Sequence, residues 1–174
     1  IPRVDLVSGR LSGFAYGANI GWISLSNQFA FVKTDAFDPG PDSDADGIPD
    51  AWEIEQVGNL DSLGGGTNDL DADGVADHLE YGADSDPDDL NDFLRITDLD
   101  LTEAGATSTV SWASEATRLY RVEQVLRLSN ATEWVDSGLG ILPPDAGGQT
   151  TRAFADAAST TRYIRVQALL PPAP

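Results

Sequence analysis

Two acidic stretches of twelve residues repeat along the chain, one from Asp42 to Glu53 and the other from Asp69 to Glu80. Both fit the pattern D-x-D-x-D-G-x5-E, in which acidic residues alternate and a glycine stands at the sixth position. Alternation lets the carboxylates of positions 1, 3 and 5 converge while the intervening side chains point away, and the glycine permits a sharp turn. Such a set of hard oxygen donors predicts a Ca²⁺ site in each stretch.

The pattern assigns a role to each ligand position. Position 7 supplies a backbone carbonyl and turns its side chain to the core, position 9 binds directly or through water, and position 12 closes the shell with both carboxylate oxygens. The predicted ligands are Asp42, Asp44, Asp46, Ile48, Asp50 and Glu53 in the first loop and Asp69, Asp71, Asp73, Val75, Asp77 and Glu80 in the second. Mg²⁺ is disfavoured, because it demands a tighter octahedron and keeps several of its waters.

A third acidic run follows the second loop. Asp84, Asp86 and Asp88 are candidates for a further metal site or for an extra ligand to the second loop. Asp89 stands where the pattern needs glycine, and Arg95 stands at position 12, so a solvated capping turn is the preferred interpretation.

The residues around the loops predict a short helix that leaves each loop and none that enters it. Apolar residues after the sixth position suit helices that end near Gly58 and near Gly82. The preceding segments, 37–41 and 64–68, contain glycine or proline and cannot be helical. Without entering helices there is little to open on binding, so we expect a structural calcium clip and not a sensor.

The net charge of −19 is concentrated in one segment. Residues 35–100 hold 21 of the 29 acids and one of the 10 bases, so the rest of the chain is close to neutral. A segment of this kind repels itself in a compact state unless cations neutralise it, which supports local cation binding. The charge excludes a nucleic-acid binder, which needs a basic face, and no apolar stretch is long enough to predict a membrane span.

The segments on either side are typical of short β-strands. Residues 1–36 are rich in glycine and aromatic residues, and residues 93–170 alternate apolar and polar residues in several short runs. In the last of these runs, from Tyr163 to Ala168, every second residue is expected to face a core. We predict a mainly β fold, namely an antiparallel β-sandwich with short N-terminal strands, an EF-hand-like segment with short helices at 37–92 and a Pro-rich tail at 171–174.

The acidic segment resembles the bacterial calcium repeats related to thrombospondin type 3 repeats and, more loosely, dockerin loops. The resemblance is carried by DSDADGIPDAWE and DLDADGVADHLE, followed by EYGADSDPDD, and it covers residues 42–92. It implies a secreted or surface-anchored protein whose aspartates stiffen the chain around calcium. The cysteines of the eukaryotic repeats are missing here, and cohesin binding is not implied.

Catalytic residue types are scarce. The single histidine, His78, lies at position 10 of the second loop, and the chain has no cysteine. The chain therefore lacks a histidine pair for zinc and a thiol nucleophile, and the loop position of His78 predicts an outward-facing residue and not the base of a serine-histidine-aspartate triad. We therefore expect a protein without enzymatic activity.

Two non-catalytic functions fit this pattern. The first is a secreted structural subunit of an extracellular filament, surface layer or matrix, in which calcium rigidifies the link between β parts. Its N-terminal strands, notably Leu11 to Tyr16 and Trp22 to Leu25, would complete the chain's own sandwich or add to that of a neighbour. The absence of methionine, even at position 1, is consistent with processing during export.

The second function is a calcium-dependent carbohydrate-binding or adhesion module of a larger surface protein, with a surface glycan or protein as its partner. Aromatic side chains that stack on sugars would carry the binding. The candidates are Tyr16, Trp22, Trp112, Tyr120, Trp134 and Tyr163. Each lies in an alternating apolar run, so packing in the core is the expected role of each.

Overall fold

The computed structural model describes residues 2–4, 9–27, 29–34, 39–100, 107–128, 133–155 and 162–170. The predicted tail at 171–174 lies outside these residues. Ten strands and two short helices fall within the described ranges, and all strand pairs are antiparallel, which confirms the mainly β fold. The chain divides into two compact units, Ile1–Pro39 with Pro171–Pro174 and Gly40–Leu170.

Short paired strands make up the first unit. β1 (Arg3–Val4) pairs with β2 (Leu11–Ser12), and β3 (Phe14–Gly17) pairs with β4 (Gly21–Ser24). The connection between β3 and β4 is a turn at residues 18–20, where the sequence places Ala-Asn-Ile between glycines. Among the described residues of this unit only Gly9 is buried, so these strands have no apolar core of their own.

The aromatic side chains of β3 and β4 lie on one face of this hairpin. Tyr16 is directly opposite Trp22, with the ring centroids 5.3 Å apart, and Phe14 is two residues away on the same strand. The exposed fractions of Phe14, Tyr16 and Trp22 are 57, 65 and 72 %. The expectation of core packing is therefore wrong for Tyr16 and Trp22.

The acidic segment contains both described helices. α1 (Asp50–Gln56) and α2 (Asp77–Ala83) each begin at position 9 of a repeat, and residues 39–49 and 57–76 contain no helix, as predicted. Neither helix has the length and apolar character needed to cross a membrane.

Both helices end within two residues of the glycines that the sequence marks as stops. α1 stops before Gly58, as predicted, and the N–H of Gly58 donates to the carbonyl of Glu53 at 3.2 Å. α2 ends at Ala83, one residue past the predicted Gly82. Asp84 ends it by taking a left-handed φ of 63°, which turns its N–H back to the carbonyls of the last turn.

Six of the described strands form two three-stranded sheets in the second unit. The strands are β5 (Ile96–Asp100), β6 (Thr107–Ala113), β7 (Leu119–Val125), β8 (Val135–Asp136), β9 (Gln149–Ala155) and β10 (Tyr163–Leu169), arranged as β5-β6-β9 and β10-β7-β8. Val110, Trp112 and Phe154 of the first sheet pack against Tyr120 and Val122 of the second in one buried cluster. The two sheets therefore form an antiparallel sandwich, and Trp112 and Tyr120 are core residues, as expected. Tyr163 on β10 is 41 % exposed, so the expectation of core packing is wrong for that residue.

Arg118 connects the acidic segment to this sandwich. Its buried guanidinium donates to the carbonyl of Tyr81 at 2.7 Å and to that of Gly82 at 3.0 Å, and it lies 3.5 Å from the carboxylate of Asp84. The hydroxyl of Thr117 also donates to that carboxylate. The guanidinium thus adds a side-chain donor to the carbonyls at the end of α2, and that of Tyr81 also accepts from the N–H of Asp84 at 3.3 Å.

We expect Arg118→Ala to lower the free energy of unfolding by about 3 kcal/mol, because it removes the cationic partner of the partly buried Asp84 carboxylate and a donor to two carbonyls at the helix end. Arg121→Ala is the matched control. Arg121 lies 3.9 Å from Asp136 in a half-exposed pair, so its loss should cost less than about 1 kcal/mol. Urea denaturation at saturating calcium measures both, and equal losses would contradict the role assigned to Arg118.

Candidate metal centre

The two acidic loops have the same backbone conformation. At position 6, Gly47 and Gly74 have φ values of 98° and 97°, which an L side chain rarely adopts. At position 4, Ala45 and Ala72 both have φ of 62°. A left-handed alanine is unfavourable by roughly 1 kcal/mol, and its recurrence at equivalent positions indicates that the loop geometry imposes it.

This backbone brings the carboxylates of positions 1, 3 and 5 together. In each loop, one oxygen from each of the three aspartates lies within 4.8 Å of the others. The two triads are Asp42, Asp44 and Asp46, and Asp69, Asp71 and Asp73. Each triad can hold a metal ion, as the spacing of the aspartates predicts.

Backbone N–H groups of the loops donate hydrogen bonds to one oxygen of several carboxylates in the triads. The N–H of Ile48 donates to Oδ1 of Asp46 at 2.8 Å, and the N–H of Val75 donates to Oδ1 of Asp73 at 2.6 Å. The other oxygen, Oδ2, of both aspartates is buried and has no hydrogen-bond partner in the described part of the chain. The backbone therefore fixes each carboxylate and leaves one oxygen for a cation.

The glutamates at position 12 supply the strongest evidence for a cation. Glu53 in α1 and Glu80 in α2 are completely buried, and neither oxygen of either carboxylate has a hydrogen-bond partner among the described residues. A buried charge without a partner is very costly. The residues present therefore fit one bound cation in each loop, which would compensate the charge of the glutamate in that loop.

Burial and neighbouring negative charge raise the pKa of both glutamates. Burial, followed by the carboxylates of Asp46 and Asp44, raises the pKa of Glu53 to about 7. Burial, followed by Asp71 and Asp73, raises the pKa of Glu80 to about 8. Each glutamate thus lies close enough to its triad to be repelled by it.

The side chains at position 9 hold the loops closed. Asp50 accepts from the N–H of Ser43 at 2.7 Å and from its hydroxyl at 2.6 Å, and these hydrogen bonds lower its pKa. Asp77 is fully buried and accepts from the N–H of Leu70 at 2.8 Å and from that of Gly64 at 3.0 Å. Metal binding by Asp50 or Asp77, directly or through water, stays a prediction.

The residues at position 7 differ in burial. The side chain of Ile48 is fully buried beside Trp52 and Leu63, as predicted, whereas that of Val75 is half-buried. Coordination by their backbone carbonyls also stays a prediction.

The third acidic run has a different arrangement. In the described residues, Asp84, Asp86 and Asp88 do not converge as the two triads do. Asp84 instead accepts from Nε1 of Trp52 at 2.9 Å and pairs with Arg118, so its carboxylate connects α1, α2 and the sandwich. This role depends on contacts between residues far apart in the chain, and no local pattern in the sequence indicates it.

The linker between the loops contacts both of them. The N–H of Gly64 donates to the Asp77 carboxylate of the second loop, and the next residue, Gly65, lies against the first. A Cβ atom at Gly65 would be 2.2 Å from the carbonyl oxygen of Asp46. The sequence shows only a run of three glycines, and the structure shows that Gly65 permits this close approach.

The protein is mainly β, and its acidic segment contains two loops whose oxygen donors are arranged to hold metal ions. No histidine belongs to either triad, and the oxygen donors are those that hard cations prefer. Comparison with protein-family models, curated proteins and solved structures finds no match to the chain.

The raised pKa values of Glu53 and Glu80 predict the pH dependence of the chelated protein. Both values exceed the ordinary 4.5, so the folded state binds more protons than the unfolded state between that value and about pH 8. Without metal, the melting temperature should therefore fall as the pH rises from about 5 to about 9. The slope should be much smaller in the Glu53→Gln, Glu80→Gln double variant, and an equally steep slope would contradict the assignment.

We expect Gly65→Ala to weaken metal binding at the first loop at least several-fold, because the added methyl group displaces the backbone of Asp46. Gly82→Ala is the control, since a Cβ atom there meets no atom within 4 Å and Gly82 lies in a helix. Isothermal titration with Ca²⁺ distinguishes the variants. Unchanged affinity in Gly65→Ala would show that the linker does not shape the loop.

Proposed function

We propose that this chain is a secreted calcium-binding structural protein, a subunit of an extracellular filament, surface layer or matrix. The observation that carries the proposal is a pair of buried glutamates, Glu53 and Glu80, which have no hydrogen-bond partner among the described residues and each lie beside a convergent aspartate triad. A structural metal would neutralise both groups and order the loops around them.

Calcium is the metal that best suits this donor set. Three aspartates, a glutamate and a backbone carbonyl in each loop approach the six to eight oxygens that Ca²⁺ takes, whereas Mg²⁺ requires a stricter octahedron. Extracellular calcium modules bind with dissociation constants of about 10⁻⁴ to 10⁻³ M. Such affinity is useful only where calcium is abundant, so the proposal places the protein outside the cell or on its surface, in agreement with the resemblance to thrombospondin type 3-like repeats.

A structural role is favoured over a sensor role because the calcium segment is anchored to the sandwich. Arg118 and Asp84 join α2 to the start of β7, so ordering the second loop orders a helix that packs on the sheets. Calcium would thereby rigidify the chain on the N-terminal side of the sandwich. That it holds the N-terminal strands in fixed geometry stays a prediction.

Adhesion through a surface glycan is the second candidate function, and one observation favours it. Tyr16 and Trp22 are exposed, as sugar-stacking residues must be. Their rings meet at 62°, an edge arrangement and not a flat platform. Retention of the chain on a panel of insoluble polysaccharides, lost in Trp22→Ala, would favour this alternative.

Calcium should stabilise the fold. Binding only to the folded state adds about 2.7 kcal/mol per site at a hundredfold excess over the dissociation constant, so two sites should raise the melting temperature by roughly 10 to 20 °C. EGTA should remove this increase in the wild-type chain. The Asp44→Ala, Asp71→Ala double variant should melt low with or without calcium.

Asp61→Ala is the control for this experiment, since Asp61 is an exposed acid outside both triads. It should keep the full response to calcium. A wild-type melt that EGTA leaves unchanged would refute the proposed function.

A further inference from the structure

The two repeats carry the same acids at the predicted ligand positions but differ at position 11, which is Trp52 in the first and Leu79 in the second. Trp52 is only 8 % exposed, whereas Leu79 is 55 % exposed. The loop pattern draws its ligands from other positions, so metal binding alone does not require a buried side chain here. The burial of Trp52 therefore reflects contacts outside its own ligand set.

Trp52 contacts both the core of the first loop and the end of helix α2. Its side chain packs with Ile48 and Leu63 in a buried cluster, and its ring meets that of Tyr81 edge-on, with the centroids 5.5 Å apart. Its indole N–H donates to a carboxylate oxygen of Asp84 at 2.9 Å, across 32 positions of sequence. One side chain thus joins the first metal loop to the residues that end α2.

The carboxylate that Trp52 binds lies at the end of the helix that carries Glu80. Asp84 ends this helix in a left-handed conformation, and its N–H donates to the carbonyls of Glu80 and Tyr81. Glu80 is the predicted position-12 ligand of the second loop, and Glu53, the neighbour of Trp52, is that of the first. The contact between Trp52 and Asp84 therefore connects the two helices that supply these glutamates.

The linker between the loops supplies a second connection. Leu63 belongs to the same buried cluster as Trp52. The next residue, Gly64, donates its N–H to the carboxylate of Asp77 in the second loop at 3.0 Å. Ordering of the first loop therefore also positions a linker residue that contacts the second loop.

We propose that Trp52 is a positioning residue that couples the two metal loops, so that Ca²⁺ at the first loop raises the affinity of the second. The proposal rests on the proposed function and states how its two sites influence each other. Both connections require ordered loops, so metal at one loop reduces the conformational entropy that remains to be lost at the other. The coupling is reciprocal by thermodynamic necessity, and we expect it to be about fivefold or more.

Isothermal titration of the full chain with Ca²⁺ measures the coupling factor. Asp44→Ala disables the first loop and Asp71→Ala disables the second, so each variant gives the binding constant of the remaining site. The product of the two wild-type binding constants, divided by the product of these two constants, is the coupling factor. We expect a factor of about five or more in the wild-type chain, and of about one when the same comparison is made in a Trp52→Phe background.

Comparison within each background separates coupling from local damage. A direct effect of Trp52→Phe on the first loop changes both products equally and leaves the factor unchanged. Repulsion between the two bound cations is the same in both backgrounds. Trp134→Phe is the matched control and should keep the wild-type factor, because its indole lies against the guanidinium of Arg165, outside the acidic segment.

Two variants of Asp84 test the same contact from its other partner. Asp84→Gly suits the left-handed backbone at this position but has no acceptor for the indole N–H, so the coupling factor should fall to about one. Asp84→Asn tolerates the same conformation and keeps an acceptor oxygen, so it should retain most of the coupling. Both variants lose the charge that pairs with Arg118, so the difference between them reports the indole contact.

The outcomes separate the inference from the proposed function. Two calcium sites with a coupling factor of about one in the wild-type chain would overturn the inference and leave the proposed function intact. A wild-type factor that persists in both Trp52→Phe and Asp84→Gly would overturn the role of Trp52. If Trp52→Phe does not fold, the two Asp84 variants decide the matter. A wild-type chain that binds no calcium would refute the proposed function itself.

Discussion

Repulsion among carboxylates held close together is the constraint on which the acidic segment depends. The loop backbone positions three aspartates within a few ångströms, and the first turn of each helix adds a buried glutamate. Glu53 and Glu80 have raised pKa values and no hydrogen-bond partner in the part of the chain that the structure describes, so their charged forms need a counter-charge at neutral pH. A cation turns this unfavourable arrangement into a stabilising one.

The consequences of that constraint extend beyond the loops through a small number of contacts. Glu80 lies in α2, and the end of α2 is held by Arg118, whose neighbour Thr117 donates to Asp84. Trp52 reaches the same carboxylate from α1 and packs edge-on against Tyr81, with ring centroids 5.5 Å apart. A change at either metal loop is therefore transmitted to one junction at the edge of the sandwich.

Local patterns in the sequence predict local structure well and long-range contacts poorly. The triads follow from alternation within five residues, and β10 follows from the period of two in its apolar residues. The left-handed Asp84 that ends α2 is not predictable from a local pattern, and neither are its contacts with Arg118 and Thr117, because both partners are distant in sequence. The exposure of Trp22 was also missed, since an alternating run indicates an apolar face but not what covers it.

The metal loops and the sandwich of the second unit differ in how far apart in sequence their contacting residues lie. This difference affects the order in which the two parts can fold. Each metal loop closes within twelve residues, whereas the central strand pairs join residues as distant as Thr107 and Ala155, or Leu119 and Leu169. Closing a short loop costs less chain entropy than pairing distant strands, and local contacts form faster. Since the loops repel themselves without a counter-ion, they can order early only where cations are abundant. The surrounding cation concentration would thus govern the order of folding events as well as the stability of the folded chain.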